Sequence, residues 1–288
     1  MGLRLKFNLI LALCYLLGLG LSLYPFYWLS RNEAFDQLQS QIDVLRHEAL
    51  AVRKYTNDEI APLLVDQSQV QFLPQTIPAF SARTTFRNFH EHFPDFRYKE
   101  AALNPTNMSD LADDWERAVI EDLRTEKKDR DIRTREIDNA TFYTASYPIK
   151  IAESCLPCHS TPDKAPPSMI ALYGNKNGFG WKVNDVIVAQ FISVPMGIAE
   201  ARIWTNLKYF VGITSGIFLL LLILLNILLD RYVIAPVTRM AKAAELVSMG
   251  DASVPEYEYP GSDEIASLSR SFNRMRRSLD SAMKMLDK

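Results

Sequence analysis

Cysteine is scarce in this chain, with 3 in 288 residues, and histidine is hardly commoner, with 4. Three cysteines exclude a small scaffold stapled by several disulfides, in which cross-links replace a core. A strong charge of one sign is also missing. Against 34 acidic residues stand 32 basic ones, and the net charge of -2 leaves no basic field to hold a nucleic-acid backbone. No kinase motif, nucleotide-binding loop or other catalytic constellation occurs, so an enzyme is not expected.

Charge is absent altogether from two stretches, residues 7–29 and 209–229. Each is about 20 residues long, enough to cross a hydrocarbon core of roughly 30 Å as a helix. The second contains "IFLLLLILLNILL", which has no polar face and so does not suit the core helix of a soluble domain. The first is longer than the apolar region of a signal peptide and lacks a small-x-small cleavage site. It ends in Tyr24, Phe26, Tyr27 and Trp28, aromatics of the kind that settle at a bilayer interface, and Cys14 packs inside it. Arg4 and Lys6 precede this run, and Arg231, Arg239 and Lys242 follow the second, which puts both termini in the cytoplasm. The expected order is a cytoplasmic N-terminus (1–6), a first transmembrane helix (7–29), a periplasmic domain (30–207), a second transmembrane helix (208–230), a cytoplasmic helical domain (231–283) and a tail (284–288). The location is a bacterial inner membrane, with the lipid bilayer as one partner.

Past the first span, Leu38, Ile42, Leu45, Ala49 and Val52 form a heptad seam, limited by Pro62. Such a stalk either pairs with a second copy or packs on its own domain. "PAFSARTTFRNFHEHFP" predicts a helix with Phe86, Phe89 and Phe93 on one face, and "FRYKEAALNP" a short strand. "SDLADDWERAVIEDLRTEKK" predicts a helix capped by Ser109, and the charged run "RTEKKDRDIRTREID" reads as a solvated helix end and loop. Strands follow in "ATFYTASYPIKI" and "DVIVAQFISVP", on either side of a Pro/Gly-rich loop over about 162–181. Helices beside a small antiparallel sheet make an α+β sensor-like domain.

Beyond the second span, one helix starts near Pro236 and stops at Gly250. Ile265, Leu268, Phe272, Met275, Leu279, Ala282 and Leu286 then hold a heptad. Neither helix can bury its stripe alone. Two copies of the pair would make a parallel four-helix bundle, so a homodimer is expected. The region resembles a HAMP domain in Pro236, in Asp263-Glu264 opening the second helix, and in "SFNRMRRSL"; Ala266 stands where that family often has Gly.

Two of the three cysteines fall in "AESCLPCHSTP", as Cys155 and Cys158, followed by His159. A disulfide across two intervening residues would be small and redox-labile, and no thioredoxin-like pattern surrounds it. A structural zinc site wants about four ligands, and only His90 and His92 remain to complete a set. C-x-x-C-H is the attachment pattern of a c-type haem: two thioethers tether the porphyrin, and the spacing lets His159 turn back onto the iron as an axial ligand. Haem is the favoured of the three readings.

Residues from about 35 to 198 resemble the c-type haem sensor domain of bacterial membrane receptors. The likeness is carried by "AVRKYTNDEIAPLL", "FPDFRYKEAALNPTNMSDLADDWE", "CLPCHSTPDKAPPSMIALYGNKNGFGWKVNDV" and "QFISVP". It implies a PAS-like fold and one covalent haem per chain, with Cys155 and Cys158 on the vinyl groups and His159 as proximal ligand. The full expectation is an α+β PAS-like extracytoplasmic domain between two transmembrane helices, with a cytoplasmic HAMP bundle. Met169 is the candidate distal ligand, with His90, His92, Met108 and Met196 as others; a water-occupied or exchangeable position is the alternative. His47 reads as a solvated stalk residue. Tyr173, Phe179 and Trp181 are candidates for the pocket wall, and Arg97, Lys99 and Arg117 for the propionates. The function expected is a sensor of redox state or a small gas that signals through HAMP to a separate kinase or chemoreceptor-like partner. The alternative is a membrane-anchored electron carrier.

Overall fold

The computed structural model describes residues 2–251 and 253–286. It forms two compact units, Pro25–Asn206 and, separately, Met1–Tyr24 with Leu207–Lys288.

The chain runs through α1 (Leu3–Tyr55), α2 (Ala61–Leu63), α3 (Val65–Val70), α4 (Pro78–His92), β1 (Arg97–Ala102), α5 (Asp114–Thr125), β2 (Asp131–Ile137), β3 (Ala140–Lys150), α6 (Leu156–His159), α7 (Pro167–Tyr173) and β4 (Val186–Pro195). Helix α8 (Met196–Leu229) follows directly, then α9 (Ala235–Ser248) and α10 (Glu264–Leu286). The four strands form one antiparallel sheet in the order β1-β4-β3-β2.

Strand alternation divides the sheet into two faces. On one, Ala101, Ala189 and Phe191 bury against Val119, Ile120 and Leu123 of α5. On the other, Phe35 of α1 meets the edge of Tyr143 at 5.6 Å, and the Arg46 guanidinium lies 4.0 Å above Tyr147. The stalk seam is therefore closed by the chain's own domain: Leu38, Ile42, Leu45 and Ala49 are buried without any second copy. Each fully buried Leu or Ile there contributes roughly 1.5–3 kcal/mol.

Three local expectations are corrected. The charged run 124–138 is not a solvated loop: its second half is β2, paired with β3 through the two-residue turn Asp138-Asn139, both at positive φ. Arg133 and Arg135 alternate onto the α5 side, where Asp122, Asp131, Asp113 and Glu116 satisfy them. Ser109 does not cap α5. Ala112 N–H bonds the Ala102 carbonyl at 3.0 Å, which keeps the chain extended past Ser109. The cap is Asp113, whose carboxylate accepts from Glu116 N–H at 2.9 Å while the Glu116 carboxylate accepts from Asp113 N–H at 3.0 Å. The loop after the cysteines contains a helix, α7.

In the other unit, the first apolar helix carries Asn8 and Tyr15, and the second carries Ser215 and Asn226. The two asparagines exchange amide hydrogen bonds at 2.8 and 3.2 Å, and Tyr15 bonds Ser215 at 2.6 Å. Both helices are long and apolar enough to cross a membrane. Asp263 caps α10 by accepting from Ala266 N–H at 2.8 Å. Asn273 grips the connector, donating to the Tyr257 carbonyl at 2.9 Å and accepting from its N–H at 3.1 Å. Leu268, Met275 and Leu279 stay exposed in the single chain. The Leu286 side chain and the last two residues of the 284–288 tail lie outside the described residues.

Candidate functional site

Three segments distant in sequence meet at a cleft on the α1-facing side of the sheet. A short 3-10 turn (Glu153–Cys155) leads into α6, where Pro157 sits in the first turn and its missing N–H costs nothing. This places Cys155, Cys158 and His159 along one turn of chain. Cys155 packs with Leu156 and Trp181 against Ala102, Ile151 and Val188. Cys158 and His159 line the cleft with Phe72, Ile77, Phe80, Met169, Tyr173 and Trp181. Its free space is about 850 Å³, open mouth included.

His159 is held on two sides. Its Nδ1 lies 2.8 Å from the Gly178 carbonyl, and its ring stacks on Trp181 at 3.9 Å with 6° between planes. A carbonyl only accepts, so Nδ1 carries the proton and Nε2 keeps the free lone pair. Burial holds the imidazole below its usual pKa, partly offset by the Gly178 bond. His159 is thus neutral at pH 7, the state that ligates a metal. Burial also pushes the Cys158 thiol up, with Cys155 adding to the effect. Both cysteines are free and half-buried.

The Gly178 carbonyl is presented by Asn104. The Asn104 side chain accepts from Gly178 N–H at 3.0 Å and donates to the Phe179 carbonyl at 3.1 Å, and its backbone carbonyl accepts from Trp181 Nε1 at 3.3 Å. Gly178 has φ +83°, and a Cβ there would stand 2.8 Å from Thr106 Cα, so only glycine fits. At the back of the cleft Glu100 is held by Arg53 of α1, with N···O 2.5 Å. At its rim Arg83 pairs with Asp110.

Of the residues singled out from sequence, the fold brings Cys158, His159, Met169, Tyr173 and Trp181 to this cleft, with Cys155 packed behind it. Met169 is 2% exposed. Phe179 is half-buried but contributes its carbonyl to Asn104 rather than a wall to the cleft. His90 bonds the Phe96 carbonyl and lines a different cleft, while His92 and His47 are exposed. Met108 is exposed and Met196 opens α8. Arg97 and Lys99 engage Asp138 and Glu116, Arg117 is exposed, and the cation at the cleft is Arg83. Among the described residues, no three His, Cys, Asp or Glu side chains converge to hold a metal ion, so His90 and His92 do not complete a zinc set with the cysteines. Sequence reasoning does not single out Asn104, Thr106, Gly178, Glu100 or Arg83 as site residues; Asn104-Pro105 and Asn177-Gly178 announce only turns.

An α+β domain flanked by two apolar helices and followed by a HAMP-type helix pair defines a membrane-anchored, signal-transducing sensor. A family model described as Tll0287-like matches residues 31–195, and a HAMP domain model matches residues 231–281. The chain belongs to the Tll0287-like family. A solved structure titled "Crystal structure of the cyanobacterial heme-protein Tll0287" is 14% identical, with 57% of this chain and 91% of that chain covered and a TM-score of 0.36. No curated protein matches the chain.

Proposed function

We propose that the cleft holds a c-type haem and that the protein is a periplasmic haem sensor signalling through HAMP. The observation that carries this is His159: Nδ1 is engaged by Gly178, Nε2 is free, the ring is buried against Trp181, and two free thiols lie within four residues of it. A structural disulfide would leave that imidazole arrangement without a purpose. Cys155 and Cys158 would hold the group as thioethers, and His159 Nε2 would ligate the iron. When bound, haem supplies an iron centre whose oxidation state or small-molecule ligand can change. The chain's own residues do the rest. Gly178 fixes the imidazole tautomer, Trp181 fixes its plane, and Phe72, Ile77 and Phe80 keep water from one wall. Met169, buried in the same cleft, would be a further protein donor available to the group.

In this reading both termini are cytoplasmic, the open stripe of Leu268, Met275 and Leu279 pairs with a second copy, and output passes to a kinase or chemoreceptor-like partner. Haem staining of the denatured protein tests the attachment, because a thioether-linked group survives denaturation. Staining of wild type and its loss in the Cys155→Ser/Cys158→Ser variant are expected; unstained wild type from cells competent in c-type haem maturation would overturn the reading. A simple electron carrier should keep working without residues 231–288, and a sensor should not.

A further inference from the structure

A second cleft lies along the β1 edge between α4 and α5, with about 1060 Å³ of free space including its mouth. Five cations line it, Arg83, Arg87, Arg97, Lys99 and Arg135, against one carboxylate, Glu116. Glu116 is 2% exposed and already committed. It takes Lys99 Nζ at 2.7 Å, Arg135 at 3.3 Å and the Asp113 N–H. The other counter-charges, Asp110, Asp113 and Asp138, reach these cations from outside the cleft lining. Arg87 has no ion-pair partner among the described residues, and Arg97 Nε is buried without a hydrogen bond. The remaining wall is aromatic. Phe86 stacks on Tyr98 at 4.2 Å, and Phe96 and Phe191 complete it.

We infer that this cleft is a second ligand site, taking a small organic carboxylate with a planar apolar body. A carboxylate satisfies guanidinium N–H groups in parallel, which a neutral ligand cannot do. A metal cation would be repelled. The Arg97–Asp138 pair is exposed on both sides, and such pairs hold only about 0–1 kcal/mol, so an incoming anion displaces it readily. An inorganic anion would meet the charge but leave the aromatic wall wet, whereas an apolar body buries it. The inference does not rest on the haem reading, since none of it depends on Cys155, Cys158 or His159, and only Arg83 lines both clefts.

The test is equilibrium dialysis of radiolabelled benzoate against the full chain in nanodiscs. Saturable binding of one benzoate per chain is expected, with benzamide failing to compete and inorganic phosphate competing at least tenfold less well. Arg87→Gln should weaken binding at least tenfold, and Arg87→Lys, which keeps the charge but not the fork, should restore only part of it. Arg87 is exposed and unpaired, so neither change threatens the fold. Equal competition by benzamide or by phosphate, or an Arg87→Gln variant that binds benzoate like wild type, would overturn the assignment.

Discussion

Replacing Asn104 with Ala separates the scaffold of the site from the site itself. The change removes the acceptor for Gly178 N–H and the donor to the Phe179 carbonyl. Each hydrogen bond is worth about 0.5–1.5 kcal/mol net, and leaving the N–H of buried Gly178 unpaired costs about 1–3 kcal/mol. The loss should total roughly 2–4 kcal/mol, or a fall in Tm on the order of 5–15 °C for a domain of this size. A structural cost alone would not show that Asn104 serves the site. Its second effect is on His159, because the carbonyl that fixes Nδ1 belongs to the residue Asn104 holds. Loss of such an outer partner typically weakens metal ligation about 10–100-fold. The assays are thermal melting of the full chain and, for the proposed haem-loaded protein, the affinity for added imidazole followed in its absorption spectrum. Ile120→Ala, on the buried face of α5 and expected to cost about 2–5 kcal/mol, is the control: it should lower Tm and leave the imidazole affinity unchanged. If Asn104→Ala melted within about 2 °C of wild type, well short of the expected fall, or behaved like Ile120→Ala toward imidazole, the reasoning would fail.

Asp113→Ala removes the α5 capping box and should cost about 1 kcal/mol at pH 7, read by thermal melting. Burial works against ionisation of Asp113, but the Glu116 N–H and the Arg135 guanidinium outweigh it and hold the carboxyl below its usual range. Its contribution is therefore complete above the ordinary carboxylate value of about 3.9 and is lost as pH falls through the lower folded value, so the variant and wild type should converge in acid. Asn226→Leu deletes the reciprocal amide pair with Asn8 and should weaken association of the two apolar helices by about 0.6–2 kcal/mol, measured by steric trapping in bicelles; no change would remove any role for the pair. Cysteine at Leu279 should crosslink rapidly between copies, whereas cysteine at buried Ala266 should not; the reverse order would contradict a dimer seam on the exposed stripe.

The sequence exposes the parts of this protein that rest on short-range spacing. Residues 155–159 carry their chemistry within one turn, and an uncharged run of about 20 residues has few readings other than a membrane span. What it conceals depends on distant partners. Asp131–Ile137 looks like solvated charge because its arginines are matched by acids on α5, which the local pattern does not contain. The seam of Leu38, Ile42, Leu45 and Ala49 is a heptad by spacing, but spacing does not say whether the covering surface is a second helix or a sheet, and here Tyr143 and Tyr147 present a sheet. Met169 stands out as a thioether near the motif, yet the helix that buries it is hidden by Pro166 and Pro167, which start α7 rather than prevent it. Asn104 leaves almost no trace, since an asparagine before proline first announces a turn.

On the proposed reading, the same distant contacts would give the cleft a means of reporting. Val188 lines it, and β4 passes from Pro195 into α8 at Met196 with no intervening loop to absorb a shift. Glu100 lines it as well and is bound to Arg53, two residues before α1 ends at Tyr55 and gives way to a π-helical turn, Thr56–Ile60. Glu100 is 8% exposed and Arg53 24%, so solvent and salt screen the pair less than a surface pair. Each apolar helix is thus joined to the sheet wall of the cleft, α8 by covalent continuity through β4 and α1 by the Arg53–Glu100 pair on β1. A carrier of electrons needs neither link, because it has only to hold its centre at a fixed potential. A sensor needs both, because a change at the cleft is reported only if it reaches the helices that leave the domain.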